Sequence, residues 1–134
     1  EPTKGLDPTR IEQIVVCFTK LETQTILCVT HDLRFAKATA EKICVLYASQ
    51  EVEYSEKEAF FEKPLHPYSQ AILQALPENG LQVSEGFAPP REDADAQKGC
   101  HYRRRCRFCS AKCEETPPMF AVGTRKVRCW LYAG

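Results

Sequence analysis

Net charge is the first thing this sequence lacks. Eighteen basic side chains are matched by eighteen acidic ones, so no global field draws the 134-residue chain toward nucleic acid or an anionic membrane. Also missing are an uninterrupted apolar run of about 18 residues, as a membrane span needs, and the basic-then-apolar leader of a secreted precursor. No internal repeat is visible. These absences favour a cytosolic setting, where crowded cysteines ligate metal more readily than they form lasting disulfides. An initiating methionine is absent too: the chain opens on "EPTKGLDPTR", a motif-like stretch, and reads as cut.

What is present, at 43% hydrophobic content, amounts to one modest domain or part of a larger one with an appendage. Asp7 can cap a helix whose first turn takes Pro8. Ile11, Ile14, Val15, Phe18 and Leu21 then recur as a helical stripe, with an end expected near Thr23. "TILCVT", residues 25–30, is a short, branched apolar run that reads as a strand covered on both faces. His31-Asp32 follows, then a helix-compatible "LRFAKATAE" and a second buried strand, "KICVLYA", at residues 42–48. Strand, helix and strand at these lengths predict a right-handed crossover and a parallel sheet. "EVEYS", residues 51–55, is polar enough for an edge or a small antiparallel strand. Short helices are expected over "EKEAFFEK" and over "HPYSQAILQAL", the latter carrying Tyr68, Ile72, Leu73 and Leu76. Residues 77–99 have no period and read as a linker or irregular arm. "KVRCWLY" is a last candidate strand, carrying Cys129 and Trp130.

Cys17, Cys28 and Cys44 sit singly in apolar runs and are expected to be buried thiols. The other five, Cys100, Cys106, Cys109, Cys113 and Cys129, crowd the last third. A Cys-x-x-Cys pair with two further thiolates suits structural zinc, and four thiolates equally suit an iron-sulfur cluster. Spacing leaves both open. Arg103, Arg104, Arg105 and Arg107 interleave with these cysteines. They lack a recognition helix or stacking platform, so they do not make a nucleic-acid site; they are a solvated face, a docking surface or a charge offset for a thiolate centre.

His31 stands at the carboxyl end of a candidate parallel strand, the edge where open sheets bind ligands. Glu1 would occupy a similar place beside it, and with Asp7 these residues could converge on one crevice, a carboxylate there serving as base toward water. "EPTKGLD" followed by "ILCVTHDL" resembles the second half of an ATP-binding-cassette ATPase: the end of the Walker B motif, the D-loop and the switch histidine. "VLYASQEVEYSEKEAFFEKPLHPYSQAIL" is similar to the ATP-binding subunits of oligopeptide, dipeptide and nickel importers, and the cysteine-bearing tail resembles their carboxy-terminal extension. Ser49-Gln50 departs from a commoner glycine-containing turn.

The resemblance implies an α/β fold, the carboxy-terminal portion of a P-loop NTPase with parallel strands and flanking helices. Its ATPase part would cover residues 1–76, an arm 77–99, and a cysteine-rich extension 100–134. It makes Glu1 the carboxylate that polarises the attacking water, His31 the contact to the terminal phosphate, and Asp7 the residue reaching a second nucleotide-binding domain. ATP and magnesium are the implied cofactors of the full-length parent. The chain itself has no G-x-x-x-x-G-K-S/T loop, no signature motif and no Walker B aspartate before Glu1, so alone it is expected to be inactive. Cys100, Cys106, Cys113 and Cys129 match the family's cysteine positions, which in some members hold a [4Fe-4S] cluster, with zinc the alternative; Cys109 lies outside the pattern. Implied partners are a second ATPase subunit, membrane permease subunits and, indirectly, a solute-binding protein, at the cytoplasmic face of the cell membrane. A non-enzymatic cysteine-rich metal-binding module is the competing reading.

Overall fold

The structure is a computed structural model that describes residues 1–21, 24–83, 85–90, 92–93, 95 and 97–134. The chain divides into two compact units, Glu1–Glu41 and Lys42–Gly134.

In the first unit the capping expectation holds. Helix α1 spans Pro8–Thr19; the Asp7 side chain accepts the Arg10 amide at 3.1 Å, and Pro8 occupies the first turn, where no internal partner exists for an amide. The helix ends earlier than the stripe implies, with Lys20 as its last cap; Thr23 lies outside the described residues. Helix α2, Leu33–Thr39, is capped by Asp32, whose carboxylate accepts both the Arg34 and Phe35 amides at 3.0 Å. The two helices meet where Phe18 sets its ring edge-on to Phe35, centroids 5.2 Å apart.

The strand expected at residues 25–30 is not formed. Residues 24–30 have no regular secondary structure, and Leu27 and Val29 are 92% and 70% exposed. A strand that is apolar on both faces takes its stability from ladders on its edges and from covering helices. Among the described residues no strand pairs with it, so the crossover and the parallel sheet are absent as well.

The sheet that does form belongs to the second unit, and all its pairings are antiparallel, in the order β1-β2-β4-β3. β1, Lys42–Tyr47, alternates exposed and buried residues, sending Ile43, Val45 and Tyr47 inward. It is therefore covered on one face rather than two. β2, Gln50–Glu56, is antiparallel as its polarity allows, but internal: β1 pairs on one side and β4, Arg125–Val127, on the other. Ala48 and Ser49 join β1 to β2 with φ of 45° and 63°, a two-residue turn normally given to Asn or Gly because side chains crowd that region. β3, Phe120–Val122, completes the outer hairpin.

Helix α3, Lys57–Glu62, buries Phe60 completely, and α4, Pro67–Gln74, buries Pro67, Ser69 and Leu73. The final strand stops at Val127. Cys129 is extended but outside the ladder, and Trp130–Tyr132 make a 3-10 turn. Around Leu65, Val127 and Cys129 pack Phe120, Val122 and Tyr132. The second unit thus closes its own core with a cysteine in it.

Candidate metal centre and catalytic edge

In the first unit Glu1 and His31 meet: His31 Nδ1 lies 2.7 Å from Glu1 Oε1. That hydrogen bond to His31 holds the exposed Glu1 carboxyl below its usual range. A carboxylate so held keeps its charge and stays an acceptor at neutral pH. Asp7 is committed elsewhere, one oxygen on the Arg10 amide and the other 3.5 Å from the Arg10 guanidinium.

In the second unit, Cys100, Cys106, Cys113 and Cys129 line one cavity of about 150 Å³, together with His66, Tyr102, Ser110 and Trp130. Cys109 is not in its wall. It is exposed, with Sγ 3.8 Å from the Ser110 carbonyl. Cys100, Cys113 and Cys129 are each 8% exposed. Burial pushes the Cys100, Cys106 and Cys129 thiols up, and neighbouring thiols add to it. Working against burial, the amides of Tyr102, Phe108 and Leu131 hydrogen-bond the sulfurs of Cys100, Cys106 and Cys129 respectively. In each case the donor is two residues on. Such donors stabilise thiolate and tune a metal held by it.

Local geometry explains how the sulfurs converge. The Cys100 amide donates to the Cys113 carbonyl at 2.9 Å, closing the segment on itself. Gly99 permits this: its φ is +69°, and an added Cβ would come within 2.5 Å of the Cys113 and Glu114 carbonyl oxygens. The chain from Cys113 to Cys129 runs through the β3-β4 hairpin, which returns the last cysteine to the cavity. As a donor set, four thiols in a largely buried pocket with amides aimed at three of them fit a soft metal or an iron-sulfur group. Among the described residues no three His, Cys, Asp or Glu side chains are gathered tightly enough to share a single ion.

The arginines of this segment are engaged close by. The Arg103 guanidinium donates to the carbonyls of Lys98, Asp95 and Cys100. Arg104 pairs with Asp93 at 2.6 Å, and Arg105 Nε donates to the Glu85 carbonyl at 3.0 Å. Arg107 lies over the Phe108 ring. Arg103, Arg104 and Arg105 tie the irregular arm to the cysteine segment. His101 is also occupied, each ring nitrogen 3.0 Å from a carbonyl, of Ala48 and of Gln97. The three isolated cysteines depart from expectation: Cys17, Cys28 and Cys44 are exposed. Cys17 falls off the stripe of α1, Cys28 lies in the unpaired run, and Cys44 is on the outward face of β1.

The sequence reading passed over Glu53. It is fully buried, with Oε1 accepting the Leu65 amide and the Arg125 guanidinium, each at 2.9 Å, and Oε2 accepting the His66 amide at 2.8 Å. A lone acid in a polar strand carries no signal of this; only the fold brings "PLHPY" and Arg125 to it. Gly99, by contrast, had a signal in standing directly before the first clustered cysteine.

Comparison with known proteins bears on both regions. Residues 52–113 match the family described as the C-terminal region of the oligopeptide/dipeptide transporter. The dipeptide transport ATP-binding protein DppD of Haemophilus influenzae is 35% identical over 138 residues, 96% of this chain and 41% of that protein. DppD of Escherichia coli is 36% identical over 140 residues, 96% of this chain and 42% of its own length. The oligopeptide transport ATP-binding protein OppD of Haemophilus influenzae is 32% identical over 142 residues, 99% and 43%. The chain spans about two fifths of the length of these relatives. With most of β2, the "PLHPY" loop and four of its five clustered cysteines inside the matched region, and with relatives aligned over 96–99% of its length, the chain belongs to the oligopeptide/dipeptide transporter family, of which it carries the C-terminal region.

Proposed function

We propose that the chain is part of an ATP-binding subunit that hydrolyses ATP to drive solute import, with a tail centre built on Cys100, Cys106, Cys113 and Cys129. The single observation that carries the centre is the shared cavity: the four sulfurs line it and Cys109 does not. Four cysteines around one cavity match the thiolate set of a [4Fe-4S] cluster, with a single tetrahedral zinc as the alternative. Such a group would supply a covalent tie between the irregular arm and the segment after β4, or a redox-sensitive one. Burial keeps three of the thiols protonated, so loading the centre releases protons and is favoured by rising pH.

For hydrolysis, the Glu1–His31 pair supports the assignment of Glu1 as the group orienting water and of His31 as a phosphate contact. Phosphoryl transfer depends on that positioning more than on intrinsic basicity. Asp7 is assigned to a second ATPase subunit, and magnesium and ATP to the longer protein. The exposed run at 25–30 would find its sheet partners there. The relatives' names speak of dipeptide and oligopeptide transport, which favours peptide over nickel as the solute, with permease subunits as membrane partners. No helix among the described residues is long and apolar enough to cross a membrane.

The test is anaerobic purification of the full-length protein with iron, zinc and acid-labile sulfide analysis. Equal iron and sulfide, lost on replacing any of the four cysteines and kept in Cys109→Ser, is the expected result. Zinc without sulfide would replace the cluster, and neither would remove the centre.

A further inference from the structure

The "PLHPY" loop has no part in the reading above, yet it forms one wall of the cysteine cavity. His66 is 1% exposed and lines the cavity beside Cys129. Its Nδ1 accepts the Tyr68 amide at 3.0 Å, capping α4. The ring also hydrogen-bonds the backbone of Arg128, and burial lowers its pKa to about 4. A neutral ring that accepts at Nδ1 carries its proton on Nε2, so Nε2 is the donor to the Arg128 carbonyl. That carbonyl belongs to the peptide leading into Cys129.

The loop is itself anchored. Glu53 accepts the amides of Leu65 and His66, and Arg125 bridges Glu53 to the Lys63 carbonyl, 2.7 Å away. On the far side of Cys129, Tyr132 Oη donates to the Leu65 carbonyl at 2.9 Å. Cys129 is therefore gripped from both sides, at Arg128 and at Tyr132, by residues 65 and 66. Cys100, Cys106 and Cys113 lie in one closed segment with their own turns. Cys129, beyond a hairpin, lies outside that segment and opens a turn of its own, with the Tyr132 amide 3.1 Å from its carbonyl.

We propose that His66 is a positioning residue for Cys129, the loop it anchors acting as the strut that turns this distant sulfur toward the other three. The inference rests on the four-cysteine reading of the centre. Helix capping alone would be satisfied by asparagine, a favoured N-cap residue, whereas the reach to Arg128 and the filling of the cavity wall need the imidazole.

The experiment follows alkylation of each cysteine by mass spectrometry in the intact chain, metal-free and after anaerobic loading with iron and sulfide. Wild type is compared with His66→Asn, with far-UV circular dichroism to verify the fold. In the metal-free state Cys129 should alkylate about tenfold faster in the variant, as loss of a buried hydrogen bond predicts, while Cys100 and Cys113 change little. After loading, iron retention should fall by about 10-fold to 100-fold, the usual cost of losing such a support, with Cys129 unprotected. Unchanged Cys129 reactivity in a folded variant overturns the proposal, and so does an equal rise at all four cysteines. Should His66→Asn fail to fold, Tyr132→Phe cuts the other grip without touching α4; it should expose Cys129 preferentially, and equal protection would again overturn the idea. A wild type that loads neither iron nor zinc defeats the centre, while the metal-free comparison still decides the strut.

Discussion

The two units handle apolar residues in opposite ways. In Glu1–Glu41 the helices meet through Phe18 and Phe35, while Leu27 and Val29 remain in solvent. In Lys42–Gly134 the side chains of Val52, Phe60, Leu65 and Val127 are buried, and even a carboxylate, Glu53, is enclosed with its partners. An apolar run makes structure only when something covers it. The strand-like run of the first unit and the strands of the second differ less in composition than in whether pairing partners are present.

The largest expected contrast comes from truncating one apolar side chain in each unit. Phe60→Ala should cost about 3–5 kcal/mol of unfolding free energy, from lost burial and the cavity left behind. Leu27→Ala should stay within about 0.5 kcal/mol, since its side chain is already in water. Chemical denaturation of both variants checks the pair, and a large loss from Leu27→Ala would show that the run is covered.

Next in size is a pH effect confined to the second unit. His66 has a folded pKa of about 4 against an ordinary value of 6.5. Between these values the unfolded chain takes up a proton that the folded chain refuses, so stability falls as the pH falls. The contribution is complete above 6.5 and lost as the pH drops through about 4, by about 3 kcal/mol in total. Metal-free denaturation curves from pH 7 to 3.5 should show this slope, and His66→Asn should flatten it.

Smaller effects sharpen the comparison locally. Asp7→Ala removes the cap of α1 and should cost about 1 kcal/mol, visible as faster amide exchange in α1 and unchanged exchange in β1 and β2. Ser49→Gly should act in the opposite sense, stabilising the β1-β2 hairpin by about 0.5–1 kcal/mol, because glycine occupies φ of 63° without crowding. A shift in thermal midpoint with Cys100 and Cys129 reactivity unchanged would verify that the gain stays in the turn.

The cap of α1 was legible because it is local: Asp7 acts within three residues along the chain. An apolar run located β1 and a polar stretch β2, but the apolar run carried no information on pairing direction, which depends on which strands are available. The stripe of α1 was readable while its end was not, since helix ends fray over a turn. For the cysteines, spacing alone admitted five candidates, and the resemblance to importer subunits singled out four.

By itself the sequence determined what short-range physics controls: the helix capped by Asp7, the positions of β1 and β2, the cysteine-rich segment and the motif bearing Glu1 and His31. Tertiary structure decided the rest. It buried Glu53 against the "PLHPY" loop and Arg125, brought Cys129 across a hairpin to the cavity, left Cys109 outside, and made the sheet antiparallel. Each of these outcomes depends on contacts between residues far apart in the chain, whose cost and direction no local pattern encodes.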